Sequence, residues 1–337
     1  MSAHIELRSD TFTTPTPEMR RAMAEAEVGD DEYGEDPTVN RLQALAAGLL
    51  GTEAALYVPS GTMANQVAIR VLSRPGTEVL CPARSHVYQY ELAASPQNSG
   101  VQLHPLWDVP DGITAAVEGS KDEFPAVSML VLENTYMAMS GAPTDVDEMR
   151  TLVQRGRTGG LRVHVDGARI WNAAIATGSP PSALIGGADT VMFCLSKGLG
   201  APVGSVLCGA ADVIAHARVQ RRKLGGGMRQ AGVIAAAGIV ALETMVERLA
   251  ADHARALVLA EALAARWPGS VDPATVRTNI VCARLAVLPD RFIARLADLG
   301  VRCGTIDPRT VRFVTHKDVD DGDIKRVVEA FDELVRG

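Results

Sequence analysis

The 337-residue sequence has no apolar run long enough to cross a bilayer. A spanning helix needs about 20 consecutive apolar residues. The densest stretch, "AGVIAAAGIVALETMV", soon becomes charged and reads as a buried helix of a soluble protein. The N-terminus "MSAHIELRSD" is charged at once and lacks the apolar core of a secretory signal. The five cysteines (Cys81, Cys194, Cys208, Cys282 and Cys303) form no CxxC pair. They sit in mostly apolar surroundings, which predicts buried reduced thiols and a cytoplasmic protein. Aromatic residues make up only 4% of the chain, and the net charge of −7 comes from interspersed acidic and basic residues. Without stacking platforms or a basic stripe, nucleic acid is not an expected partner, and neither is a membrane. There is no internal repeat and no low-complexity linker.

The sequence does contain ample apolar material, at 47%, and a length that suggests about two domains. Strand-like and helix-like segments alternate, which predicts an α/β fold with a mostly parallel sheet. Strands are expected at 54–59, 78–82, 127–134, 161–166, 190–196 and 203–209. Helices are expected at 61–72 and after the capping residues Asp145 and Asp147. A long helical run is expected from about 228 to 266. The texture then changes to "RTNIVCARL" and "VRFVTH", read as strands, with amphipathic helices in "DRFIARLADLG" and "DIKRVVEAFDELV". The expected division is a large domain over 1–245 and a small C-terminal α+β domain over 246–337.

In open parallel sheets, ligands collect beyond the carboxyl ends of the strands. Here that edge carries Ser60 and Gly61, Glu133-Asn134-Thr135, Asp166 and Lys197. Taken singly, each has a structural reading: a strand-end aspartate often caps a helix, and a lysine in a glycine-rich turn is often solvated. Taken together they suggest one site. "GLGAPVG" has the wrong spacing and the wrong following element for a dinucleotide fingerprint. No nucleoside-triphosphate loop is present. "SGTMAN", between a strand and a helix, offers backbone N–H groups and two hydroxyls to a phosphate. A phosphate cradle, a strand-end aspartate and a lysine one strand later suggest pyridoxal 5'-phosphate. The lysine would bond the aldehyde, and the aspartate would keep the ring nitrogen protonated.

The chain resembles the threonine aldolase family, within the fold-type-I pyridoxal-phosphate enzymes that also include the β-eliminating lyases. The resemblance runs almost end to end. It includes "LRSDT" (7–11), "VGDDEYGEDPTVNRL" (28–42), "SGTMAN" (60–65), "HVYQYE" (86–91), "LENT" (132–135), "HVDGARIWNA" (164–173), "LSKGLGAPVGSVL" (195–207), "GGGMRQAG" (225–232) and "VRFVTH" (311–316). It implies a seven-stranded-type sheet flanked by helices. It assigns Lys197 as the cofactor-bonded lysine, Asp166 as partner of the ring nitrogen, and Ser60, Gly61 and Thr62 as phosphate ligands. His86 would stack on the ring and act as base or position a water. Arg169 would lie near the cofactor's phenolic oxygen. With Ser9 and Arg312 it would also hold the substrate carboxylate, which a planar guanidinium grips bidentately. Arg229 would reach the cofactor pocket and Tyr33 the substrate, both across a subunit interface of a dimer of dimers. No metal is implied.

The implied reaction is reversible cleavage of a β-hydroxy-α-amino acid into glycine and an aldehyde. β-Elimination or β-replacement on the same fold is the alternative. One departure stands out. After "LENT" the family usually carries a histidine, and this chain carries Tyr136, a poor base with a reference pKa of about 10. "LAASPQNSG" after Glu91 also departs from the family's small glycine-alanine run. The expectation is intact cofactor machinery of the threonine or allo-threonine type with an altered side-chain pocket, Tyr136 included; a biosynthetic aldolase with a bulkier, non-threonine substrate is a second alternative.

Overall fold

The computed structural model describes residues 4–119 and 125–336. Strand β1 (Ile5–Glu6) lies apart and pairs late in the chain. The next seven strands form one sheet: β2 (Ala54–Val58), β3 (Glu78–Pro82), β4 (Gln102–Leu106), β5 (Val127–Glu133), β6 (Arg162–Asp166), β7 (Thr190–Cys194) and β8 (Ser205–Gly209). Their order across the sheet is β2-β8-β7-β6-β5-β3-β4. Only β8 runs against its neighbours, pairing antiparallel with both β2 and β7. The sheet is therefore mostly parallel, as expected.

Every residue of β7 and β8 is buried, because helices cover both faces of the sheet. Such strands read as continuous apolar runs instead of alternating ones. The covering helices start where polar caps allow. Asp145 accepts from the backbone N–H groups of Asp147 and Glu148 at the head of helix Val146–Thr158. Asp36 accepts from Val39 at the head of helix Pro37–Leu50, whose far end closes on Gly51 in the left-handed conformation.

The helical run expected over 228–266 is two helices, Gly232–Thr244 and Leu249–Arg266. No proline breaks it. The first helix packs on the core of the large sheet, together with Leu249. Ala256, Leu259, Ala260 and Leu263 of the second pack on a separate C-terminal core. The chain turns at 245–248 to change partners.

The C-terminal layer contains β9 (Ile280–Arg284), β10 (Val301–Arg302), β11 (Gly304–Asp307) and β12 (Thr310–Val314). Strands β11, β12 and β9 form an antiparallel sheet in that order. Behind it Trp267, Phe292, Phe313 and Phe331 pack mostly edge to face. Fully burying each phenylalanine stabilises the fold by about 1.5–3 kcal/mol. β1 pairs parallel with β10, and Ile5 and Leu7 are buried in this C-terminal core. The first residues of the chain thus span from the small layer to the large one. Among the described residues no helix is long and apolar enough to cross a membrane. All five cysteines are free, four of them buried and Cys282 half-buried.

Candidate active site

A cavity of about 350 Å³ opens at the carboxyl ends of the parallel strands. Ser9, Ser60, Gly61, Thr62, His86, Asp166, Arg169, Lys197 and Arg312 all line it. Nine residues named from sequence thus converge, from segments up to three hundred positions apart.

Lys197 sits two residues past Leu195, in the turn between β7 and β8. Its carbonyl accepts from Gly200 N–H (2.9 Å) and from the Thr13 hydroxyl (2.9 Å). Gly200 adopts φ +80°, which closes this turn and which side chains other than glycine rarely tolerate. The backbone is pinned from two sides. Among the described residues, no group hydrogen-bonds or ion-pairs with the Lys197 amine.

Asp166 ends β6 and is 2% exposed. Its Oδ1 accepts from Ala168 N–H (3.0 Å) and its Oδ2 from Asn65 Nδ2 (2.8 Å). Asn65 also donates to Glu91 Oε1 (2.7 Å), and its Oδ1 contacts His164 Nε2 at 3.0 Å. An amide oxygen only accepts, so His164 carries its proton on Nε2. His164 Nδ1 then accepts from the Thr190 hydroxyl (2.8 Å). Burial drives the His164 pKa down to about 4, against the opposing charge of Asp166. This neutral histidine orients Asn65, and Asn65 orients the aspartate.

The depressed pKa has a consequence for stability. The unfolded chain binds a proton on His164 near its ordinary value, while the folded chain does not until about pH 4. The contribution is complete above pH 6.5 and is lost as pH falls toward 4, amounting to about 3 kcal/mol. Thermal melts of apoprotein across that window should show wild type losing more stability than His164→Gln. Parallel curves for the two proteins would contradict this.

His86 opens the short helix His86–Gln89, and its Nδ1 bonds Glu91 Oε1 at 2.8 Å. Its ring stacks against Tyr90, with centroids 5.7 Å apart. Burial would lower the His86 pKa. The Glu91 bond and the charges of Asp166 and Glu91 outweigh it, and the pKa is raised. Glu133, at the end of β5, accepts from His86 N–H (2.8 Å) and Met137 N–H (3.0 Å). Burial first, and the Asp166 charge second, push its pKa up to about 7.

Two arginines supply positive charge. Asp10, fully buried, grips Arg169 bidentately: Nε donates to Oδ2 (2.8 Å) and Nη2 to Oδ1 (2.6 Å). Burial would raise the Asp10 pKa, but the guanidinium more than reverses this and holds it well below the carboxylate range. Arg312 is different. Its Nη2 donates to the Arg8 carbonyl (2.9 Å), while its buried Nε has no partner among the described residues. Burial and the nearby Arg169 charge lower its pKa.

Three residues named from sequence lie elsewhere. Tyr136 lines a separate cleft with Pro82 and Trp107. Burial and the Glu133 charge raise its phenol pKa further. The chain bends at Asn134 and Thr135 and enters a short 3-10 turn at Met137–Met139, and Glu133, Thr135 and Met137 line the cavity while Asn134 and Tyr136 do not. Tyr33 is 78% exposed. The Arg229 side chain is 64% exposed and reaches Asp30 at 3.4 Å. Glu133, expected at the strand edge without a role, lines the cavity, whereas the sequence motifs give Asn65, His164, Glu91 and Asp10 no role as its supports. The signal for His164 was a histidine inside an apolar strand, two positions from Asp166.

The sequence profile described as beta-eliminating lyase matches residues 6–286. The chain belongs to that family. It is 39% identical over 343 residues to a probable low-specificity L-threonine aldolase 2 of Arabidopsis thaliana, across 98% of this chain and 97% of that protein. It is also 39% identical to the low specificity L-threonine aldolase of Escherichia coli K12, across 94% of each. Its fold matches the threonine aldolase of Leishmania major with a TM-score of 0.84, at 20% identity, over 98% of this chain and 99% of that one. The fold is that of the fold-type-I pyridoxal-phosphate enzymes, and the family is one of pyridoxal-phosphate-dependent lyases.

The residues present fit that cofactor. Ser60 Oγ caps Met63 N–H (3.2 Å) at the head of helix Gly61–Leu72, and the N–H groups of Gly61 and Thr62 have no partner within the helix. A Cβ at position 61 would come within 2.9 Å of Cys194 Sγ and 3.0 Å of Met192 Cε, both in the cavity wall. Any larger residue would have to push these side-chain ends aside for the helix to start so close to β7. A helix head with free N–H groups, a buried carboxylate and an unpaired amine therefore share one cavity.

Proposed function

We propose that this lyase cleaves or forms β-hydroxy-α-amino acids, exchanging them with glycine and an aldehyde. The observation that carries the reading is the cavity in which the unpaired Lys197 amine, the buried Asp166 carboxylate and the under-paired Arg312 guanidinium meet. Bound pyridoxal phosphate supplies an electron sink for the bond broken at Cα.

The protein's own residues do the rest. Ser60, Gly61 and Thr62 hold the phosphate. Asp166, oriented by Asn65, keeps the ring nitrogen charged. Lys197 tethers the cofactor and moves a proton at Cα. Ser9, Arg169 and Arg312 clamp the substrate carboxylate, which fixes the angle of the scissile bond. Arg169 is pre-set by Asp10. His86 would stack on the ring; with Nδ1 on Glu91, its Nε2 would be left to take or relay the β-hydroxyl proton. Met137, Tyr90 and Ile306 give part of the cavity an apolar wall, which suits a side chain larger than that of threonine.

Purified enzyme should release glycine and an aldehyde from a panel of β-hydroxy amino acids, favouring larger side chains. Ammonia and a keto acid would instead indicate β-elimination and overturn the aldolase reading. Arg312→Ala should raise KM by about 10- to 100-fold with a smaller effect on kcat, since hydrogen bonds to charged groups are strong. An unchanged KM would remove Arg312 from the carboxylate clamp.

Tyr33 and Arg229 support a finer proposal, an assembly of two or more copies with shared sites, a dimer of dimers by family resemblance. Both are exposed, and the segments are tied together by Asp31 N–H donating to the Arg229 carbonyl (3.0 Å). In such an assembly they would complete a neighbour's cavity. Full turnover by a monomer would contradict this. The five unpaired thiols suit a cytoplasmic setting.

A further inference from the structure

We infer that the Thr135 hydroxyl is the group that recognises the substrate's β-hydroxyl. The inference deepens the aldolase reading and rests on it.

Thr135 is 5% exposed and lines the cavity. Its Oγ1 is buried, and among the described residues it has no hydrogen-bond partner. A buried hydroxyl is costly to leave unpaired, so an orphan on a residue that lines a ligand cavity points to a ligand atom. Its position is held on both sides. Asn134 N–H donates to the Asp166 carbonyl (2.9 Å), and Tyr136 N–H donates to the Ala142 carbonyl (2.9 Å). The Asn134 side chain is itself clamped by both backbone groups of Thr144, at 3.1 Å each. Thr135 therefore cannot swing away easily.

The charged groups of the wall suit other parts of the substrate and cofactor: Arg169 and Arg312 the carboxylate, and Asp166 the ring nitrogen. His86 is the group that takes the β-hydroxyl proton, and Thr135 would hold the same oxygen by a neutral hydrogen bond. Thr135 is neutral and can both donate and accept, which matches a hydroxyl or an aldehyde oxygen. Next to it, Met137 contributes an apolar surface, with its sulfur 3.4 Å from Arg312 Nη1. One polar atom beside a pliable apolar wall would bind the β-hydroxyl while accepting different side chains.

The test compares Thr135→Val with Thr135→Ser in the holoenzyme. Valine keeps the branched shape and removes the hydroxyl; serine keeps the hydroxyl. For β-hydroxy amino acids, T135V should lose about 10- to 100-fold in kcat/KM, and T135S should retain most of it. Glycine lacks a β-hydroxyl, so its affinity, read from the cofactor's absorbance change, should stay within about 2-fold in both variants. Should T135V fail to hold the cofactor, Thr135→Ala is compared with T135S in the same way. Cleavage by the hydroxyl-lacking variant at the wild-type rate would overturn the role of Thr135. So would an equal loss of glycine affinity, which would place the hydroxyl on the cofactor. Wild-type enzyme that released no aldehyde would instead overturn the aldolase reading itself.

Discussion

Lys197→Ala is expected to abolish turnover, with a loss of at least about 1,000-fold from removing both a tether and a proton carrier. Among the described residues, the amine has no polar partner and no other lysine lines the cavity. Its backbone, in contrast, is held by Thr13 and Gly200. Truncation should therefore leave the fold and the phosphate cradle intact. The variant should still bind pyridoxal phosphate, now reversibly, and dialysis should strip it. Lys197→Arg keeps the charge but not the nucleophile and should be equally inactive. Residual turnover within about 10-fold of wild type would mean that the chemistry does not pass through this amine.

Asp166→Ala is expected to have the next largest effect, on the order of 100-fold or more in kcat. The carboxylate is buried, and both its oxygens are positioned by protein donors. Its negative charge makes the ring nitrogen's positive form stable, and the electron sink depends on that form. Removing it has two further effects that activity alone does not show. Asn65 keeps Glu91 as an acceptor but loses one of its two carboxylates, at a cost of about 1–3 kcal/mol in stability. Glu133, whose pKa is raised to about 7 partly by the Asp166 charge, should titrate lower. Cofactor affinity by equilibrium dialysis, together with a thermal melt, would separate weak binding from lost chemistry. Normal kcat with weak cofactor binding alone would contradict the assigned role.

Much of this fold is legible because its signals are local. The helix expected at 61–72 is observed at Gly61–Leu72, since Ser60 is a good cap and apolar positions recur at helical spacing. The strand expected at 78–82 is observed at Glu78–Pro82. The convergence of Asp166, Lys197 and Ser60 follows from the rule that parallel strands present their carboxyl ends together. The features that escaped depend on distant partners. Asn65 and His164 meet across 99 residues of sequence, and nothing near either one announces the other. The turn at 245–248 has no proline; it reflects a change of core that only packing reveals. Tyr136 aligns with a family histidine, yet it lines the neighbouring cleft with Pro82 and Trp107 while Thr135 and Met137 line the cavity. Motif alignment assigns a position in the chain, and the bend at Asn134–Thr135 with the 3-10 turn that follows decides which cleft the side chain meets.

The central claim is that pyridoxal phosphate is joined to the Lys197 amine. Holoenzyme reduced with borohydride and digested should yield one peptide, carrying Lys197, heavier by the mass of the reduced cofactor. An unmodified Lys197 peptide, or the added mass on a different lysine, would contradict the account.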